Sequence, residues 1–259
     1  MRGRALLIGL GGALVVFLAL PLAGLAVSLS WSDLIAGLRH PLVWPALRLS
    51  LMTTSISLAV VVALGTPLAW MLAGAPGRWG RAVETMVQLP MVVPPAVAGV
   101  ALLLAFGRHG LLAGALFPAR WSPAFTTGAV VLAEIFVSAP FYVLAATSAF
   151  RRVDEDVLVV GRTLGASPLR VFARLGLPLA ASGLAAGAAM SWARSLGEFG
   201  ATLMFAGNLT GATQTLPLAI YTALESDPRA AQALSLVLVV VAFALLLVVR
   251  RAGPTLPVR

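Results

Sequence analysis

Arg194 and Glu198 stand in an otherwise apolar run, AAMSWARSLGEFGATLMF. Four positions apart, they share one face of a helix. Charge inside a membrane span is costly and turns toward a bundle interior or a water-lined cavity. The pair fits two roles: a mutual ion pair that packs helices, and the outer part of an anion path. At 1.5 Å per residue, Arg194 lies about 24 Å along the helix from Pro178, toward the outer half of a bilayer. Ser191 and Thr202 add hydroxyls nearby, and Gly197, Gly200 and Ala201 permit close approach. Glu134 and Ser138 form a second polar pair at the same spacing, read as a hydrogen-bonded packing contact. Glu84, near the end of a span, is expected to reach the membrane interface.

Other chemistry is excluded by composition. The chain has no Cys, so disulfides, iron–sulfur clusters and thiolate metal sites are ruled out. Its two histidines, His40 and His109, are too few for a histidine-rich metal centre. All 18 basic residues are Arg. Without Lys there is neither a P-loop on ATP phosphates nor Schiff-base catalysis. No metal and no cofactor is expected in this chain, and any ATP it uses is hydrolysed by another.

The elements that position these residues are membrane helices. Of the 259 residues, 60% are hydrophobic and 10% charged, against about 25% charged in a soluble domain. Lipid must be the solvent for most of this surface. A span needs about 20 apolar residues, and six runs qualify: 5–27, 47–72, 83–106, 125–150, 179–205 and 231–249. The whole chain, 1–259, reads as one all-α membrane domain. The first run follows Arg2 and Arg4 like a signal peptide but is too long for one, so it reads as a retained helix. Pro90, Pro94 and Pro95 interrupt the third run. Such a break survives only against protein or a water-lined cavity, so it marks either a kinked packing helix or the side of a translocation path.

With the N-terminus inside, inner segments hold 12 Arg and outer segments five, with Arg194 inside a span. This bias places both termini in the cytoplasm. It accounts for the net charge of +9 without nucleic acid. With so little chain after the sixth span, a regulatory domain is expected on another chain. Outside, residues 216–225 are expected to form a short interfacial helix, and Ser226-Asp227 before Pro228 is a helix start.

The longest inner connection reads RRVDEDVLVVGRTLGASPLRVFARLGLP, from Arg151. It is charged yet keeps apolar residues at helical spacing. Gly165 and Ser167-Pro168 divide it into two short helices, with Ser167 as cap and Pro168 in the first turn of the second. Such an amphipathic loop (151–177) docks a partner or folds back onto its own membrane domain.

This loop resembles the signature of the membrane-spanning subunits of bacterial ABC importers: Glu-Ala-Ala, three residues, Gly, nine residues, Ile, one residue, Leu-Pro. Gly165 holds the Gly position, Leu175 replaces Ile, and Leu177-Pro178 closes the pattern. Val159, Val160 and Gly161 stand where the family has Glu-Ala-Ala, with Asp154, Glu155 and Asp156 just upstream. The resemblance implies a type I importer fold of six helices in the bacterial inner membrane. It implies that Asp154, Glu155, Val159, Val160, Gly161, Arg162, Gly165, Ala166, Ser167, Pro168 and Arg170 couple to an ATPase. The Glu of the signature is absent, Val159 standing in its place.

Leu89–Gly110, Ser195–Asn208 and Thr213–Ser226 are similar to the molybdate importer permeases. Sulfate permeases share the layout but differ around Gly197-Glu198-Phe199-Gly200-Ala201-Thr202. The implied cargo is molybdate or the near-identical tungstate, with sulfate as the alternative. The implied partners are a second copy of this chain, two ABC ATPases carrying the ATP and Mg, and a periplasmic or lipid-anchored oxyanion-binding protein. A path along the third and fifth spans would use Pro94, Pro95, Ser191, Arg194, Glu198 and Thr202. Arg and hydroxyl donors suit a tetrahedral dianion. A naked Glu does not, which favours the paired role for Glu198. A membrane-embedded enzyme would need a catalytic cluster that the chain lacks, and a passive channel has no use for a docking loop.

Overall fold

The computed structural model describes residues 2–28, 30–75, 77–113 and 122–252, and its regular elements there are helices. Arg120 and Arg259, used in the charge bias, lie outside the described residues. Helix α1 spans Arg2–Val27, α2 Trp31–Leu38 and α3 Val43–Ala73. Then come α4 (Arg78–Val92), α5 (Pro95–Phe106), α6 (Thr127–Arg151), α7 (Glu155–Thr163) and α8 (Pro168–Val171). The last are α9 (Leu177–Leu196), α10 (Gly200–Ala206), α11 (Leu216–Ser226) and α12 (Pro228–Ala252).

The central helix is α6, packed between α3 and α9. The apolar period of α3 explains its orientation: Ala46, Leu49, Val61, Ala69 and Leu72 are buried on one face, together with Ser50, Thr53, Thr54 and Ser57. Small residues let the backbones close up. A Cβ on Gly65 would lie 2.9 Å from the Tyr142 ring, and one on Gly187 would lie 2.9 Å from Ala145 Cβ. One core gathers Val61, Leu72, Tyr142, Ala146 and Phe150. A second core gathers Ala98, Leu102, Val130, Ala133 and Phe205. In the most apolar stretch of α1, by contrast, no residue is buried by the rest of the chain.

Four helical stretches among the described residues are long and apolar enough to cross a membrane, or five if a sharply bent pair is one span. The bent pair is α4 and α5, which turn 114° at Val93-Pro94. The third run is therefore a break, not a kinked helix. Two consecutive prolines withhold two N–H donors, and they force extended backbone at Val93 (ψ 127°) and Pro94 (ψ 138°). The fifth run is broken too: α9 ends at Leu196, and the chain restarts at Gly200. Arg194 and Glu198 thus do not share one helix. The sixth run lies in α12, whose described apolar stretch is Pro228–Ala244. Its start is as expected, with Asp227 accepting from the Arg229 and Ala230 N–H groups at 3.0 and 3.3 Å. Helix α11 forms where a short helix was expected, with Leu216, Leu218 and Ala219 fully buried and Tyr221 and Leu224 exposed.

Candidate functional site

The two broken runs meet each other. Helix α5 packs on α10, so closely that a Cβ on Gly99 would sit 2.7 Å from the Ala201 carbonyl oxygen. At the breaks themselves, a Cβ on Gly200 would lie 2.7 Å from Pro95 Cβ. The backbone here has lost its helical ladder, which membrane interiors tolerate only against protein or water.

Arg194 and Glu198 stay paired despite the break. Arg194 Nη1 donates to Glu198 Oε2 at 2.9 Å, and Glu198 Oε1 accepts from the Ala201 N–H at 2.8 Å. Glu198 is 2% exposed, so its charge is balanced within the protein by Arg194 and by the first turn of α10. The Arg194 side chain is 29% exposed, and one carboxylate oxygen does not use all five of its N–H donors. Thr202 is buried beside this turn, and its Oγ1 lacks a hydrogen-bond partner among the described residues. Pro94, Pro95, Arg194, Glu198 and Thr202 therefore belong to the paired breaks. Ser191 does not: its Oγ donates to the Ser138 carbonyl at 3.1 Å, a link between α9 and α6.

Glu134 and Ser138 do not bond to each other as expected. Glu134 accepts from Thr53 Oγ1 and Ser57 Oγ, both at 2.8 Å, and so ties α6 to α3. Further hydroxyls on that face of α3 act alike: Ser50 accepts from the Leu216 N–H at 2.7 Å and Thr54 from Trp192 Nε1 at 2.9 Å. The sequence reading missed this stripe. Its signal was present, since Ser50, Thr53, Thr54 and Ser57 fall at helical spacing. Glu84 pairs with Arg151 at 2.9 Å, binding α4 to the inner end of α6.

The inner loop is built from local rules. Asp154 caps α7 by accepting from the Asp156 N–H at 3.0 Å. Glu155 and Asp156 follow in the first turn and Arg162 in the last, each suited to the helix dipole. Gly165 has φ +83°, the left-handed position that ends the helix. Its N–H donates to the Arg162 carbonyl, and the Ala166 N–H donates to the Gly161 carbonyl. These two bonds are a Schellman motif. Gly161 lets Leu175 pack closely, since a Cβ there would lie 2.6 Å from Leu175 Cδ1 and the Leu175 side chain would have to shift.

Pro168 opens the next helical turn, but Ser167 makes no side-chain cap bond. Nor is that turn a separate helix: it continues through 172–176 into α9, giving one rod from Pro168 to Leu196. Leu158 and Val171 anchor the loop to the body. Val160, Leu164 and Leu169 stay exposed, with Asp154, Glu155, Val159, Arg162, Gly165, Ser167 and Arg170 around them. Val160, Leu164 and Leu169 thus leave an apolar row open on a structured loop. Gly161 and Ala166 are half-buried beneath it. Among the described residues, no cluster of Asp, Glu and His is placed to hold a metal.

The family described as "Binding-protein-dependent transport system inner membrane component" matches residues 65–253. The chain belongs to that family. It is the permease component of an ABC importer and not itself an ATPase. The permease is 47% identical to a molybdenum transport system permease protein of Mycobacterium tuberculosis H37Rv, over 94% of this chain and 91% of the relative. It is 35% identical to the molybdenum transport system permease protein of Escherichia coli K12, over 78% of this chain and 89% of that one. Among solved structures it shares its fold with a bacterial alginate ABC transporter (TM-score 0.76, 18% identity, 97% of this chain and 95% of that chain). It also shares its fold with the MetNI methionine transporter in inward-facing form (TM-score 0.66, 17% identity, 82% of this chain and 94% of that chain).

Proposed function

We propose that the permease carries molybdate, or the near-identical tungstate, into the cytoplasm by alternating access. The observation that carries the cargo is the near full-length identity to the mycobacterial protein, whose name states molybdenum transport. The partly exposed Arg194 at the paired breaks supports it, since a tetrahedral dianion takes charge-assisted donors.

In this reading six helices cross the inner membrane with both termini in the cytoplasm, as the Arg bias favours. Two copies form the path at their interface, along the breaks at Pro94-Pro95 and Gly197–Phe199. Two separate ATPases, holding ATP and Mg, take the exposed row Val160, Leu164 and Leu169 into their clefts. A periplasmic or lipid-anchored binding protein delivers the oxyanion outside. ATP binding draws the two Gly165 loops together and opens the path outward. Hydrolysis resets the inward state.

The test is ATP-dependent molybdate uptake into proteoliposomes holding the permease, its cognate ATPase and binding protein. Competition by tungstate but not by sulfate is the expected result. Equal competition by sulfate would replace molybdate with a broader oxyanion cargo.

A further inference from the structure

Between Pro168 and Pro178 the chain reads PLRVFARLGLP. Pro178 has no N–H to return to the Arg174 carbonyl, so an ordinary α-helical ladder fails here. The chain answers with a π turn over Phe172–Gly176, in which the Leu177 N–H donates to the Phe172 carbonyl five residues back. One extra residue is thereby held inside an otherwise continuous rod, and such turns concentrate where helices must change shape.

The turn is gripped from two sides. On the loop side, Leu175 presses on Gly161 of α7. On the membrane side, Gly176 faces the Trp70 ring, where a Cβ would lie 2.7 Å from Cζ3. The Trp70 ring meets Phe150 edge-on, with centroids 5.1 Å apart at 80°, and it meets Phe172 at 5.4 Å. Phe150 and Phe172 are themselves 6.2 Å apart. Trp70 lies in the last turn of α3 and Phe150 in the last turn of α6, so three rings join both helices to the turn.

We infer that Trp70 is a positioning residue for transport: it transfers movement of the 155–176 loop to the inner ends of α3 and α6. This rests on the reading of that loop as the ATPase-coupling element. A shift of the π turn rotates Phe172 and Gly176 against the Trp70 ring. The ring is wide and rigid enough to move both helices together, and a small side chain is not.

The test uses the reconstituted complex and reads molybdate uptake and ATP hydrolysis together. Trp70→Leu keeps an apolar side chain but removes the ring, and Trp70→Phe keeps a ring. Deleting exposed Arg174 removes the extra residue and leaves both flanks in register. Trp70→Leu and the deletion are expected to keep hydrolysis near the parent. Both lose at least about fivefold in uptake per ATP, the lower end of measured coupling between sites. Trp70→Phe restores it. Unchanged uptake per ATP in Trp70→Leu would overturn the assignment, as would uptake and hydrolysis falling together. A photo-crosslinker at Leu164→Cys separates the two readings, because the chain has no other Cys. An adduct with the ATPase upholds the coupling reading by itself. Its absence overturns that reading and the role of Trp70 with it.

Discussion

At the scale of single residues, the buried carboxyl groups are each held by short-range donors. Glu198 depends on Arg194, so Arg194→Ala strands a buried carboxylate. The expected cost is about 2–3 kcal/mol, below that of a fully buried pair because Arg194 is partly open. A thermal unfolding series in detergent measures it. The double variant Arg194→Ala/Glu198→Ala should recover much of this stability. Uptake that stays low in the stable double variant would mark Arg194 as a path residue, whereas full uptake would leave the pair a packing device. The same logic applies to Glu134. Thr53→Val removes one of its two hydroxyl donors and is expected to destabilise by about 1–3 kcal/mol, with Ser57→Ala similar. No loss of Tm in either would mean that Glu134 is not what ties α3 to α6.

At the scale of elements, close approaches carry the architecture. Gly99→Val drives a side chain into the Ala201 carbonyl and Met204, and is expected to part α5 from α10 and abolish folded yield on size exclusion. Gly165→Ala faces open space but a left-handed backbone, so it should cost only about 1–2 kcal/mol. Hydrogen exchange should then rise over 155–166 and nowhere else, and Gly165→Asn should be milder.

These elements also show what was legible beforehand. Apolar runs located the long helices because a bilayer demands length and composition. The Pro94-Pro95 break was visible as a disturbance, but its 114° turn was not, since proline chemistry sets a break and packing sets its angle. The Gly197–Phe199 break was hidden by apolar composition on both sides. Gly165 was found by spacing, and its left-handed φ explains why Gly stands there. The π turn and the partners of Glu134 depend on which helices lie side by side, which a linear pattern does not state.

At the scale of the whole molecule, orientation is open to direct reading because the chain is free of Cys. Leu164→Cys and Leu111→Cys place single thiols on exposed positions, 82% and 86% accessible. An impermeant maleimide is expected to label position 111 in right-side-out vesicles and position 164 in inverted ones. The reverse pattern would invert the topology drawn from the Arg bias.

The central claim is that the loop closed by Gly165 links ATP hydrolysis on a partner to oxyanion movement through this chain. It is tested most directly by ATP-driven molybdate uptake in proteoliposomes, parent against Gly165→Asp, with assembly checked by co-elution of the ATPase. The account predicts an assembled Gly165→Asp complex whose uptake has collapsed. Normal uptake by that variant would contradict it and move the coupling element elsewhere in the chain.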